Sequence, residues 1–229
     1  RDFEYDIHSL IRAFYPGMDV PVYQEGEAEP EGWEKKLVVE YRPDQIRLEL
    51  MDEKGGILEK AQRDVNYEAD RKATKNVLKS MLYEMLRDYT GQSLPWGNLT
   101  GIRPTKIPMA LLEQGWKNTE IADYMRKTYY TSNEKTALSI MIANRERHIL
   151  KDINYEDGYS LYVGIPFCPS ICLYCSFSSS PLAVWRDKVD MYLDALCKEI
   201  EACAQIYQNR KLDTIYMGGG TPTTLEPYQ

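Results

Sequence analysis

The sequence predicts a mixed α/β chain in two parts, and three observations carry that expectation. Up to about residue 155, short stretches of alternating apolar and polar residues are joined to helical apolar stripes, the pattern of an α+β unit. After a polar break at residues 151–158 the order becomes strand, loop, long helix, strand, loop, which is a βαβ unit with parallel strands and a right-handed crossover. Each loop of that unit is chemically marked, the first by three cysteines and the second by three consecutive glycines. The expected domains are therefore 1–155, an α+β accessory domain, and 156–229, the start of an α/β core.

Composition sets the outer limits. With 43% hydrophobic and 28% charged residues in 229, the chain has the means to bury an ordinary core. A net charge of -7 argues against a nucleic-acid partner, whose surface calls for basic residues. No stretch approaches the roughly 20 apolar residues of a membrane helix, and the N-terminus lacks a basic segment followed by an apolar one, so no membrane partner is expected. Five cysteines, three clustered and two on a helix, do not form a secreted disulfide framework, and a reducing, cytoplasmic setting is expected. The chain opens on Arg1 and stops at Gln229 where a new helix would start, so it is expected to be part of a longer protein.

Taken in order, residues 5–15 carry apolar side chains at helical spacing, ended by Pro16 and Gly17. Residues 24–34 are acidic and broken by Gly and Pro, which predicts a solvated loop. Leu37, Val39 and Tyr41 alternate, Pro43 and Asp44 turn the chain, and Ile46, Leu48 and Leu50 alternate again: a hairpin, with a third strand expected over 57–65. From 70 to 90, Val77, Leu78, Met81, Leu82, Met85, Leu86 and Tyr89 form one stripe closed by Gly91, a helix to cover that sheet.

Residues 94–106 are irregular and lead into a helix at 105–114 with Pro104 in its first turn. Arg103 and Lys106 sit beside the amides of a helix N-terminus, where an anion could bind, but an arginine paired with a nearby carboxylate and an exposed lysine is the preferred reading. Two more helices are expected, 119–129 after Asn118, and 132–150 opened by a Thr131–Glu134 capping box with Leu138, Met141, Ile142, Ile149 and Leu150 buried. A DNA-binding reading of these helices is disfavoured by their mixed charge. No catalytic constellation stands out in 1–155, and His8 and His148 are expected to do structural work.

In the second part, 160–165 is a strand, 184–208 a long helix with Trp185, Val189, Tyr192, Leu193, Leu196, Ile200, Cys203 and Tyr207 on one face, and 213–217 the next strand. Cys197 and Cys203 lie on that helix, are not neighbours on it, and are read as small hydrophobes rather than ligands. The first loop holds Cys168, Cys172 and Cys175 in a C-x-x-x-C-x-x-C spacing. A structural zinc site needs four protein ligands, and this loop supplies three. Three thiolates suit an iron–sulfur cluster with one iron open to another ligand; a zinc knuckle with a remote fourth ligand and three buried thiols are the alternatives. Parallel strands bring both loops to one edge, where α/β barrels bind ligands, and glycines there let backbone amides approach a ligand. An exposed apolar edge is expected where a third strand would pair.

The run Tyr162-Val-Gly-Ile-Pro-Phe-Cys168-Pro-Ser-Ile-Cys172-Leu-Tyr174-Cys175-Ser-Phe177, followed by Gly218-Gly219-Gly220-Thr221-Pro222-Thr223, resembles the radical S-adenosylmethionine enzymes of the oxygen-independent coproporphyrinogen III oxidase (dehydrogenase) family. Leu99-Thr-Gly-Ile-Arg-Pro-Thr-Lys106 and the long N-terminal part are similar to its HemZ branch. The resemblance is specific over 159–224, weaker over 94–107, and elsewhere only architectural.

This resemblance implies the first βαβ of a partial (β/α)6 barrel of TIM type, truncated and inactive alone. It implies a [4Fe-4S] cluster on Cys168, Cys172 and Cys175 with S-adenosyl-L-methionine on the open iron. Tyr162 then lies near the cofactor, Tyr174 beside adenine, and Gly219, Gly220 and Thr221 at the methionine amino group. The implied activity is oxidative decarboxylation of porphyrinogen propionates to vinyls, driven by a 5′-deoxyadenosyl radical and fed by an external donor of flavodoxin or ferredoxin type. Two departures stand out: Phe177 occupies the place of a further family cysteine, and Gly164 that of a family histidine. A related branch without that cysteine implies haem binding and delivery as the alternative, with a structural metal module as a third reading.

Overall fold

A computed structural model describes residues 3–28, 32–66, 70–154 and 156–229. They divide into two compact units, Arg1–His148 and Ile149–Gln229. Part of the acidic stretch expected as a loop, residues 29–31, lies outside the described residues.

In the first unit the alternating stretches become an antiparallel sheet of β1 (Lys35–Tyr41), β2 (Gln45–Asp52) and β3 (Ile57–Asp64). The register Leu37↔Leu50, Val39↔Leu48, Tyr41↔Ile46 puts these six apolar residues of the hairpin on one face. Asp52 shapes the second turn by accepting the N–H groups of Lys54 and Gly56 at 2.9 and 2.8 Å. Helix α1 (Glu4–Phe14) and α2 (Arg71–Thr90) cover that face. Asp70 caps α2 by accepting the Ala73 N–H at 2.8 Å, and Gly91 ends it at φ 69°. Leu78, Met81, Leu82, Met85 and Leu86 pack with Leu10, Phe14, Ile46, Leu48 and Leu50 in one core.

The unit continues as α3 (Lys106–Glu113), α4 (Asn118–Tyr129) and α5 (Asn133–Leu150). Three expectations are corrected here. Asn118 is the first residue of α4 rather than its cap; the Glu120 carboxylate reaches back to the Lys117 N–H at 2.7 Å. Ser132, not Thr131, caps α5 by accepting the Lys135 N–H at 3.2 Å, while Thr131 is buried with its hydroxyl 2.7 Å from that of Thr136. The buried stripe of α5 is Thr136, Ser139, Ile140 and Ala143, and Met141 and Ile149 are exposed. Small hydroxyl residues fit this interface because their hydrogen bonds are made locally, Ser139 to the Thr136 carbonyl at 2.9 Å.

The irregular segment between α2 and α3 is tied down by a polar network. Lys79 is buried and its ammonium donates to the Thr100 hydroxyl at 2.9 Å; Thr100 donates to the Asp6 carboxylate at 2.7 Å, which also lies 3.6 Å from Lys79. Burial lowers the Lys79 pKa, and Asp6 opposes that shift. Arg103 faces Glu146 at 3.9 Å and Lys106 is exposed, the pairing preferred over an anion site. Lys79→Ala is expected to lower the unfolding free energy by roughly 1–3 kcal/mol, because it removes the donor to Thr100 and the nearer of two ammonium groups beside Asp6. Lys79→Met, which keeps the packing stem, tests this in urea: a loss as large as that for Ala assigns the effect to the network, and a restored stability assigns it to packing.

Candidate cofactor site at the ends of the parallel strands

In the second unit β4 (Gly158–Ile165) and β7 (Lys211–Gly219) pair in parallel. Such a pair needs a long crossover, and the chain between them supplies α6 (Leu182–Trp185) and α7 (Val189–Ile206). The expected single helix over 184–208 is broken: residues Arg186–Lys188 form a 3-10 turn between the two. Leu182 and the Val189–Ile200 face both pack on the core of this unit, so the chain bends to serve two tracks.

Leu161, Val163 and Ile165 point to α7 and meet Val189, Tyr192, Leu193, Leu196 and Ile200. The other face of the strands bears Ser160, Tyr162 and Gly164 beside Thr214, Tyr216 and Gly218, in register. The Thr214 hydroxyl donates to Ser160 at 2.8 Å, and the Tyr162 and Tyr216 rings stack with centroids 5.6 Å apart. The Tyr192 hydroxyl donates to the Gly164 carbonyl at 2.6 Å and so fixes α7 to the end of β4; burial, then Glu199, raises its pKa. In the sequence Tyr192 reads only as part of the helix face, and Tyr216 is not singled out. A signal for Tyr216 exists, because the two strands read Ser-Leu-Tyr-Val-Gly and Thr-Ile-Tyr-Met-Gly, and parallel pairing aligns them.

Both loops leave the same edge. Residues 167–181 form the cysteine loop, whose stems β5 (Phe167–Cys168) and β6 (Ser180–Pro181) pair in parallel, with the Ser180 N–H donating to the Pro166 carbonyl at 2.8 Å. Cys168 is buried at its root; Cys172 and Cys175 are exposed on a turn closed by a 3.0 Å bond from the Cys175 N–H to the Cys172 carbonyl. Tyr174 is exposed on that turn, with Ile171, Leu173 and Phe177. The glycine loop crosses the root: the Gly220 N–H donates to the Ile165 carbonyl at 2.7 Å, the Thr221 N–H to the Phe167 carbonyl at 2.8 Å, and the Thr221 hydroxyl to the Cys168 sulfur at 3.6 Å.

This geometry corrects the role expected for the glycines. The Gly220 and Thr221 amides are engaged inside the protein rather than aimed at a ligand. Gly219 sits at φ 106°, and a Cβ there would lie 2.9 Å from the Ile165 carbonyl oxygen; at Gly220 it would lie 2.8 Å from the Cys168 sulfur. The glycines are required for strand and loop to touch. A second correction concerns Cys197, expected as a buried hydrophobe and found exposed.

No three His, Cys, Asp or Glu side chains among the described residues are grouped as ligands of one metal ion. In a [4Fe-4S] cluster each thiolate binds its own iron, so convergence on one point is not the requirement. The donor set fits such a cluster: three thiols on one short loop, one at its root under a hydroxyl donor and two outermost on the turn.

No family model matches the chain, and no solved structure matches it. Among curated proteins, HemZ of Bacillus subtilis, an oxygen-independent coproporphyrinogen-III oxidase-like protein, is 34% identical over 157 residues, 67% of this chain and 31% of that protein. An oxygen-independent coproporphyrinogen III oxidase of Mannheimia haemolytica is 44% identical over 74 residues, 32% of this chain and 50% of that protein. Over part of its length, the chain is related to the coproporphyrinogen III oxidase family. The heme chaperone HemW of Lactococcus lactis is 39% identical over 70 residues, 31% of this chain and 17% of that protein. The chain thus spans half or less of these curated relatives. No helix among the described residues is long and apolar enough to cross a membrane.

The close approach at Gly220 makes a direct test. Gly220→Ala is expected to cost roughly 1–3 kcal/mol of stability by overpacking against Phe167 and Cys168, and to reduce the iron retained after anaerobic reconstitution. Gly101→Ala, where an added Cβ meets nothing within 4 Å, is the control. Iron retention equal in both variants would contradict a cluster seated against the glycine loop.

Proposed function

We propose that this chain carries the cofactor-binding part of a radical S-adenosylmethionine enzyme of the partial (β/α)6 barrel type, acting on a porphyrinogen by oxidative decarboxylation of its propionates. The observation that carries the reading is the contact of the two marked loops, with Gly220 and Thr221 bonded to the root of the cysteine loop.

Cys168, Cys172 and Cys175 would hold the [4Fe-4S] cluster as thiolates. Bound there, the cluster would supply one-electron reduction of S-adenosyl-L-methionine, the source of the radical chemistry. The Thr221 hydroxyl, donating to the Cys168 sulfur, orients that ligand at the root of the loop. With the Gly220 and Thr221 amides engaged within the protein, backbone carbonyl oxygens at Gly219 and Gly220, the groups an ammonium requires, would receive the amino group of methionine. Exposed Tyr174 offers a ring face to adenine, and Tyr162 lies on the same strand that feeds the cysteine loop. Ile171, Leu173 and Phe177 surround the turn with apolar surface that keeps water from a reactive radical once covered. An external one-electron donor of flavodoxin or ferredoxin type completes the cycle, in a reducing cytoplasm.

The second reading, haem binding and delivery, is favoured by Phe177 in place of a further cysteine and by similarity to a protein named as a heme chaperone. Both readings share the cluster. After anaerobic reconstitution of the full-length protein, about four iron and four sulfide per chain are expected, falling to near zero in Cys168→Ala, Cys172→Ala and Cys175→Ala. Reductant and S-adenosyl-L-methionine are expected to yield 5′-deoxyadenosine. About one zinc without sulfide would sink the cluster, and absence of 5′-deoxyadenosine would sink the enzyme. Vinyl product from coproporphyrinogen III supports the first reading; haem uptake without that product supports the second.

A further inference from the structure

The three cysteines of the first loop stand in two different settings. Cys168 is 7% exposed and walled in: its strand pairs with Ser180–Pro181, the Thr221 N–H holds the Phe167 carbonyl before it, and the Thr221 hydroxyl lies 3.6 Å from its sulfur. Cys172 and Cys175 are exposed, and the bond from the Cys175 N–H to the Cys172 carbonyl makes them the first and fourth residues of one β-turn. Its central residues, Leu173 and Tyr174, are 104% and 91% exposed, so the turn projects from the surface.

That turn brings the outer pair within reach of each other. Neither Leu173 nor Tyr174 takes a positive φ, and no peptide bond among the described residues is cis, so the turn belongs to type I. The first and fourth Cα atoms of a β-turn lie within about 7 Å of each other. A disulfide spans Cα atoms roughly 4.4–6.8 Å apart. Cys172 and Cys175 thus meet the backbone condition for a bond with each other. Cys168 joins either of them only by withdrawing its sulfur from Thr221 and pulling β5 from β6.

We infer that Cys172 and Cys175 are a reversible redox pair, closed to a disulfide by low-molecular-weight disulfides, and that the closed pair blocks cluster assembly. The inference rests on the cluster reading above and adds the regulation of that site. One thiol attacks the small disulfide RSSR, forms a mixed disulfide and releases RSH; the other attacks the mixed disulfide, closes the Cys172–Cys175 bond and releases the second RSH. Both thiol protons leave on the two RSH, and the two electrons lost by the protein reduce RSSR. The closed loop keeps one ligand of three, Cys168, so a cluster is built only after a dithiol reopens it. Oxidising conditions then pause assembly reversibly, where unpaired exposed thiols would go on to sulfinic acid.

The test is thiol trapping on the full-length protein, stripped of metal by a chelator without oxygen, treated with oxidised glutathione, alkylated and mapped by peptide mass spectrometry. The expected product carries a Cys172–Cys175 bond with Cys168 alkylated, and on reconstitution it takes up near-zero iron and sulfide until dithiothreitol is added. Tyr174→Pro, which puts proline where a type I turn disfavours it, is expected to lose most of the bond with all three thiols still present. Leu173→Pro, which the turn accepts, is expected to keep it. Cys175→Ser is expected to stop at the mixed disulfide of Cys172 with glutathione. A bond that includes Cys168, three alkylated cysteines after oxidation, or equal yields in the two proline variants overturns the redox pair. Full iron uptake by the bonded protein overturns the block on assembly. Should reduced wild-type protein take up no iron and sulfide while the bond still maps to Cys172 and Cys175, the cluster reading falls and the thiol pair stands.

Discussion

Two backbone hydrogen bonds, Gly220 N–H to the Ile165 carbonyl and Thr221 N–H to the Phe167 carbonyl, are the constraint from which the rest of the second unit follows. They join segments more than fifty positions apart in sequence, at the point where two parallel strands end. They form only if the chain after β7 comes close enough to touch β4, which Gly219 at φ 106° and Gly220 allow and a side chain at either position would prevent. Once they form, Cys168 is enclosed, Thr221 reaches its sulfur, and the remaining cysteines are carried out on a turn whose stems are paired. The chemistry proposed for the loop therefore depends on a packing condition at the glycines.

The two units satisfy their strands in opposite ways. In the first, an antiparallel sheet has one apolar face, and α1 and α2 bury it. In the second, the helix-facing side of β4 is aliphatic and buried, but on β7 Ile215 and Met217, which alternate onto the same side, are exposed, as is an apolar strand edge. A sheet of two parallel strands cannot hide both faces with one helix, and such strands occur in sheets covered on both sides.

Legibility in the sequence followed the strength of the periodic signal. Period two read the alternating residues of the hairpin, and the α2 stripe read its core face, because both bury large apolar side chains on one side. Helix α5 failed that test: its contact face uses Thr136 and Ser139, which count as polar in any apolar stripe yet bury well once their hydroxyls are bonded locally. The break at Arg186–Lys188 was hidden because apolar spacing continues across it. Spacing alone also could not tell that the Gly220 and Thr221 amides face the protein, since a ligand and a neighbouring strand make the same demand for glycine.

The aligned Ser-Leu-Tyr-Val-Gly and Thr-Ile-Tyr-Met-Gly strands show what that ambiguity conceals. Read singly, each is a short apolar strand with a glycine at its end. In a parallel ladder equal positions lie side by side, so a pattern shared by two strands becomes a row of like residues across the sheet: hydroxyl by hydroxyl, ring by ring, glycine by glycine. A hydroxyl pair closes on itself with one hydrogen bond, and a glycine pair leaves room above it. The ring pair between them is left to lean into that room. The register that aligns these rows runs to the same strand ends at which the glycine contacts hold the cysteine loop in place.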